Sequence, residues 1–418
     1  MSSQAIDQPF VPTAALRSVN FFNGRLLTGD DLSREQATQE ERVKRLGRAV
    51  GDGVAWGFEV AQPKALSPDT SHPVVTVSAG LAVNREGTTI ELPADVDVAL
   101  YRDASAAPAG AEDGNLFADC QPFAAGTYRA GAGVYLLTVA PAEQGEGRAQ
   151  VNGLGNETAP CNVALEAEAL QFRLIRLALT NDELLDKAHL RNHVAYLCFG
   201  SSELAGKIAD PFGVSMTSWG LIDTLRTQTL TDAEVPLATI GWSVDDGIEF
   251  VDLWSVRRRL TFRGAEGGWA GLESDRRRAE GEAMFLQFQA QIEELAAGPD
   301  LELALTDRFE QLPPVGLLPI GGGTYLELFA GRTVRDPVFI EGARVQTLVE
   351  ESLGYPPIEL DSGIVTWLYV VRENTLPPPS GPAPEQFVVF SSGFMPYEAN
   401  AQFDLSRWDY ANYSLRLA

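Results

Sequence analysis

VNFFNGRLLTGDDLSREQATQEERVKRLGRAVGDGVAWGFEV, residues 19 to 60, is the stretch around which the chain is organised. Its middle is predicted to be a helix. Thr28 can cap the first turn with Asp31 as its capping-box partner, and Asp30 and Asp31 set negative charge against the positive helix end. Lys44, Arg45 and Arg48 complement the carbonyl end, and Glu40–Lys44 and Glu41–Arg45 are favourably oriented i,i+4 pairs. Gly51 and Gly53 then stop the helix. Leu32, Gln36, Gln39, Val43, Leu46 and Val50 recur at alternating spacings of four and three, a heptad seam that carries two glutamines. Such a seam trades stability for a specified partner or register; the alternative is a monomeric helix whose glutamines face water.

The same stretch carries a resemblance. Paired aromatics, Asn23-Gly24-Arg25, Leu26-Leu27-Thr28, Asp30-Asp31-Leu32, Glu35-Gln36, an arginine-rich helix and then Gly53-Val-Ala-Trp-Gly-Phe-Glu-Val60 resemble the opening of a large peripheral baseplate or tail-tip component of phage-tail-like contractile injection systems. Further islands of similarity lie at Glu234–Ala238 with Ile248–Leu260, at Arg308–Pro319, and at Ser392–Tyr397 with Phe403–Tyr410. The resemblance implies a structural or interaction role, with other injection-system subunits as partners, assembly in the cytoplasm and membership of a particle. Threefold tail-tip symmetry makes a homo-oligomer an expectation, although the seam is too short to specify its number. The resemblance brings no catalytic residue. A rival reading is a carbohydrate- or receptor-binding module at the tip, using exposed aromatics such as Trp367 or Trp408.

Composition narrows the classes of function. A chain of 418 residues accommodates two or three domains, and 45% hydrophobic content is that of a folded protein. With 57 acidic against 32 basic residues the formal charge is -25, which argues against nucleic acid or an anionic membrane as partner, because phosphate contacts need clustered positive charge. No run approaches the roughly 20 apolar residues that span a bilayer, so direct membrane insertion is not expected. Met1–Phe10 lacks the basic start and apolar core of a secretory signal. Cys120, Cys161 and Cys198 are widely spaced and odd in number, which fits reduced thiols.

In chain order, residues 1–18 read as an extended arm. Gly53–Val60, Val74–Val77, Leu81–Val83, Thr89–Leu92 and Val96–Leu100 read as short strands of a small antiparallel unit, followed by an Ala/Gly-rich insertion and a strand over Val134–Ala140. From Asn162 the spacing of Leu165, Ala169, Phe172, Ile175 and Leu179 predicts a helix, with a second from about Asp182 to Phe199. Val235–Ile240 and Ile248–Val256 read as strands joined at Asp245-Asp246-Gly247, with Trp242 and Trp254 fitting a sheet core. Glu273–Ala297 is a second long helix whose Met284, Phe285, Phe288, Ile292 and Leu295 face its own domain. Leu312–Gly323 reads as a connector, Val338–Phe390 as a second α+β unit interrupted by a polyproline-like loop at 376–384, and the aromatic tail 403–413 as a docked segment. The fold class expected is therefore α+β and multidomain, with β-rich antiparallel units and two or more long amphipathic helices. Its expected divisions are an arm and assembly helix (1–50), a β-rich domain (51–160), an α+β domain (161–311) and a C-terminal unit (312–418).

Sites of chemistry are sparse. His189 and His193 share a helix face near Cys198, but no H-E-x-x-H pattern and no third ligand at a known spacing accompany them, so no metal is expected. Gly321-Gly322-Gly323-Thr324 lacks the lysine of a phosphate-binding loop, and Gly51-Asp52-Gly53 begins no dinucleotide fingerprint, so no cofactor is expected. Arg257–Arg259 and Arg276–Arg278 are expected to pair locally more than with a neighbouring copy. A carboxylate pair at glycosidase spacing would arise by chance in so acidic a chain, and no nucleophile motif is present, so the chain is not expected to be an enzyme. The residues of interest are those of the seam: Leu32, Gln36, Gln39, Val43, Leu46 and Val50.

Overall fold

The structure, a computed structural model, describes residues 12, 15–62, 73–100, 132–150, 161–213, 219–243, 246–261, 269, 272, 274–297, 307–319, 329, 338–360, 365–372 and 387–393. It is a multidomain α+β fold built on antiparallel sheets. The polyproline-like loop, the aromatic tail and most of the Ala/Gly-rich insertion lie outside the described residues.

Helix α1 spans Gly29–Val50 and leads into β1 (Gly53–Gly57). The strand expected over Gly53–Val60 is broken at Phe58, a buried residue at φ 53°, and the chain resumes as β2 (Val60–Ala61) in a different sheet. Next come β3 (Val74–Val77), β4 (Gly80–Val83), β5 (Thr89–Leu92) and β6 (Val96–Ala99). They form two antiparallel three-stranded sheets, ordered β1-β4-β5 and β2-β3-β6. The alternation in Val74-Val-Thr-Val77 and Thr89-Ile-Glu-Leu92 buries Val75, Val77, Ile90 and Leu92 on the inner side, as a period of two requires.

A larger sheet follows, ordered β10-β9-β7-β8, from β7 (Gly133–Gln150), β8 (Cys161–Arg176), β9 (Val235–Ser243) and β10 (Gly247–Asp252). The reading of residues 162–179 as a helix is corrected: Leu136 faces Ile175, Leu137 faces Leu174 and Val139 faces Phe172 across a long antiparallel hairpin. The cause of the misreading is packing on both faces from residue 170 to 177, while Val163 and Leu165, further out on the hairpin, are exposed. Leu170, Phe172 and Leu174 pack towards the small β unit, whereas Ile175 and Leu177 pack towards helices on the opposite side, so simple alternation is lost. The hairpin also straddles the expected boundary at 160/161, and one core joins Val54, Phe58 and Val75 to Leu137, Val235 and Ile240. The turn at Asp246 and Gly247, with φ 75° at the glycine, joins β9 to β10 as expected.

Helices α2 (Asn181–Leu185), α3 (Leu190–Phe199), α4 (Ser201–Ala209) and α5 (Gly220–Arg226) follow β8. Leu190, Val194, Cys198 and Leu225 pack on Val134, Leu136 and Ile175 of the larger sheet. Cys198 is a free thiol, and burial pushes its pKa up to about 12. Helix α6 (Ser274–Ala296) buries Met284, Phe288 and Ile292, as its spacing requires.

The C-terminal unit contains β11 (Gln311–Leu312), β12 (Val315–Pro319), β13 (Val338–Glu341), α7 (Val345–Ser352), β14 (Ile358–Glu359), β15 (Trp367–Arg372) and β16 (Phe387–Ser391). Its main sheet is ordered β12-β16-β15-β13, with β13 and β15 parallel across α7. Phe288 and Ile292 of α6 cover one face beside Leu318, Leu368 and Phe390, and Leu348 of α7 covers the other beside Val315, Tyr369 and Val389. The connector expected at 312–323 is corrected in part. Val315-Gly-Leu-Leu-Pro319 is an edge strand against β16, where a terminal proline interrupts no ladder. Among the described residues, no helix is long and apolar enough to cross a membrane.

Candidate functional site

Helix α1 forms with the local chemistry its sequence prescribes. The Thr28 hydroxyl accepts the Asp31 N–H at 3.2 Å while Asp31 Oδ2 accepts the Thr28 N–H at 3.3 Å. Arg25 holds Asp31 at 2.6 Å, and Lys44–Glu40 (2.6 Å) and Arg45–Glu41 (3.6 Å) are the expected i,i+4 pairs.

The side of the helix turned towards its own chain is polar. Glu35 accepts the Val19 N–H at 3.0 Å, and the buried Thr38 hydroxyl lies 3.1 Å from the Arg17 carbonyl oxygen, so the chain before the helix is fastened along it. Arg48 Nη1 donates to the Glu86 carbonyl at 2.8 Å. There the helix crosses the β4–β5 turn so closely that a Cβ on Gly47 would stand 2.1 Å from the Gly87 carbonyl oxygen.

The opposite side carries the seam, and it faces water. Leu32, Val43, Leu46 and Val50 are 52%, 55%, 69% and 57% exposed, and Gln36 and Gln39 are exposed with them. Phe21, Phe22, Leu26 and Leu27, in the segment leading into the helix, are exposed as well, as is Trp56 on β1. This inverts the usual arrangement, in which the apolar stripe of an amphipathic helix is the one that packs on its domain.

The arginine clusters pair locally in part: three of their members form ion pairs within the chain, while Arg277 is buried with Nε and Nη2 lacking a hydrogen-bond partner among the described residues. Arg257 Nη2 donates to the Gly57 carbonyl at 2.7 Å, Arg258 pairs with Glu280 at 2.7 Å, Arg259 pairs with Glu282, and Arg276 pairs with Asp223 at 2.9 Å. Trp254 is half-buried under the Arg257 guanidinium at 5.4 Å and borders a cleft of about 400 Å³ with Arg191, Glu249 and Glu294. Both of these carboxylates are engaged, Glu249 by Lys187 at 2.8 Å and Glu294 by Arg191 at 2.5 Å. Trp367 packs on the C-terminal core, which removes it from the exposed aromatics considered for glycan recognition; Trp408 lies outside the described residues.

His189 and His193 stand at the start of α3, as their spacing implies. The fold brings Glu310, from a distant segment, to within 3.5 Å of His193. Nothing in the local sequence signals that approach. Compared with known proteins, the chain matches no family model and no curated protein.

Proposed function

We propose that the chain is a structural component of a phage-tail-like contractile injection system, at the periphery of the baseplate or tail tip, assembled in the cytoplasm. In this reading the α1 seam joins it to a second copy of itself. The observation that carries the proposal is the inverted helix: its polar side is fastened to its own chain and its heptad seam is left outside. The resemblance of residues 19–60 to such components supplies the setting.

A second copy suits the seam chemically. Leu32 and Leu46 alternate with Val43 and Val50 at heptad spacing, and since each is only 52–69% exposed, burying the remainder would contribute about 1–2 kcal/mol apiece. Gln36 and Gln39 lie between them. Each amide both donates and accepts, so glutamines meeting their own kind satisfy one another, while a slipped register buries them against leucine or valine.

Light scattering on the purified chain, beside a variant carrying Leu32→Asp and Val43→Asp, tests the seam. The expected result is a discrete wild-type oligomer that becomes a folded monomer in the variant. A monomeric wild type removes the self-association. Mass spectrometry of intact purified particles tests the setting separately, and consistent absence of the chain from them defeats it.

A further inference from the structure

Apart from the seam, a cluster of metal-ligating side chains forms where α3 begins. Glu310, next to β11, turns Oε2 to 3.5 Å from His193 Nδ1 and Oε1 to 4.0 Å from His189 Nδ1. Asp186 places Oδ2 2.9 Å from the same His189 nitrogen. Ligand atoms of Asp186, His189 and Glu310 all lie within 4.8 Å of one another. Ligands about 2.0–2.1 Å from a tetrahedral zinc stand roughly 3.3 Å apart, so small side-chain rotations bring these donors onto one ion.

We propose that Asp186, His189 and Glu310 bind one divalent first-row transition metal, with zinc the best match, and that His193, which lies outside this close set but 3.5 Å from Glu310, turns in as the fourth ligand. A mixed imidazole and carboxylate set suits zinc, cobalt or nickel; all-oxygen sites suit calcium or magnesium.

Two supports distinguish this cluster from a chance gathering of acids. The other nitrogen of His193, Nε2, lies 3.1 Å from Glu183 Oε1. Glu183 Oε2 in turn accepts the Thr180 N–H at 2.6 Å and the Thr180 hydroxyl at 2.8 Å. A carboxylate behind a histidine is the outer shell that orients a ligating imidazole and sets its tautomer. The second support is Asn192, buried between the two histidines in sequence. Its Oδ1 accepts the N–H groups of Glu310 (3.0 Å) and Gln311 (3.1 Å), and its Nδ2 donates to the Gln311 carbonyl (3.0 Å). Glu310 is thus presented from a clamped backbone. A metal held here clasps the turn before α3 to the first strand of the C-terminal unit.

The test is zinc titration of the tag-free full chain after chelator treatment, followed by calorimetry. Wild type is expected to take up one equivalent of zinc and to melt at a higher temperature with it. Glu310→Gln, and separately the pair His189→Ala with His193→Ala, are expected to weaken binding at least tenfold, with unchanged circular dichroism. Cobalt titration of the wild type keeps the test decisive if a variant misfolds, since nitrogen and oxygen ligation of low coordination number gives a visible d–d band. No zinc uptake by wild type, full uptake by the folded variants, or a cobalt spectrum like that of the aqueous ion would each overturn the site.

Discussion

Glu234 is the acidic side chain whose surroundings are most completely specified. Buried beside β9, it receives Arg173 Nε at 2.7 Å and Nη2 at 2.6 Å, the Thr138 hydroxyl at 2.9 Å, and the Thr231 N–H at 2.8 Å. Burial alone pushes its pKa up, but the Thr231 N–H, the Arg173 guanidinium and the two threonine hydroxyls together hold it below the ordinary value. A carboxyl lowered on folding contributes stability that is complete above its unfolded pKa, near 4.5, and is lost as pH falls through the folded value. Glu234→Gln is therefore expected to flatten the decline of unfolding free energy below that pH, measured by urea denaturation across a pH series. Glu234→Ala should cost about 2–3 kcal/mol at neutral pH, less than a fully buried pair, because Arg173 can turn to water. An unchanged acid limb in the glutamine variant would show that the stability lost in acid arises elsewhere. The arginines make a related point: their local pairing was expected, but Glu280, Glu282 and Asp223 became identifiable as partners only in three dimensions.

Among the elements, α1 is the one most fully written in its own residues, because its cap, ion pairs and stop signals all act within a turn or two. Where it rests is another matter. On an isolated helix Gly47→Ala would gain about 1 kcal/mol in propensity. Here the added methyl meets the Gly87 carbonyl, and Gly87, at φ 86°, occupies backbone space that suits glycine. The expected outcome is a loss of about 1–3 kcal/mol, with faster amide exchange along residues 29–50. A rise in melting temperature would mean that the helix does not lean on the β4–β5 turn. Strand β8 teaches the converse lesson. Its three-and-four spacing of apolar residues is real, yet pairing with β7 along its length and packing on both faces from residue 170 onward override it.

At the scale of the molecule, the two larger sheets each carry apolar clusters on both faces, although the outer part of the β7–β8 hairpin, with Val163 and Leu165, is exposed, and the elements between the sheets are α3 and α6. Asn192 bridges this joint. Asn192→Leu leaves the Glu310 and Gln311 backbone groups unpaired at about 1–3 kcal/mol for each buried one. The expected result in scanning calorimetry is separation of a single wild-type transition into two, with the C-terminal unit melting first. One undivided peak in the variant would place the coupling in the apolar contacts of α6 instead.

Local chemistry in the sequence determined α1 and its termini, the β9–β10 hairpin, the buried face of α6 and the α+β character of the chain. Caps, turn residues and periodic apolar positions act over a few residues, so they are legible without a fold. Tertiary structure alone decided that residues 161–176 are a strand, that the glutamine-bearing seam points away from its own domain, and that Glu310 stands beside His189 and His193. Those outcomes depend on which faces become buried and which distant segments meet. Periodicity tells that a helix has an apolar side, but only the competing contacts of the folded chain decide which side is left to water.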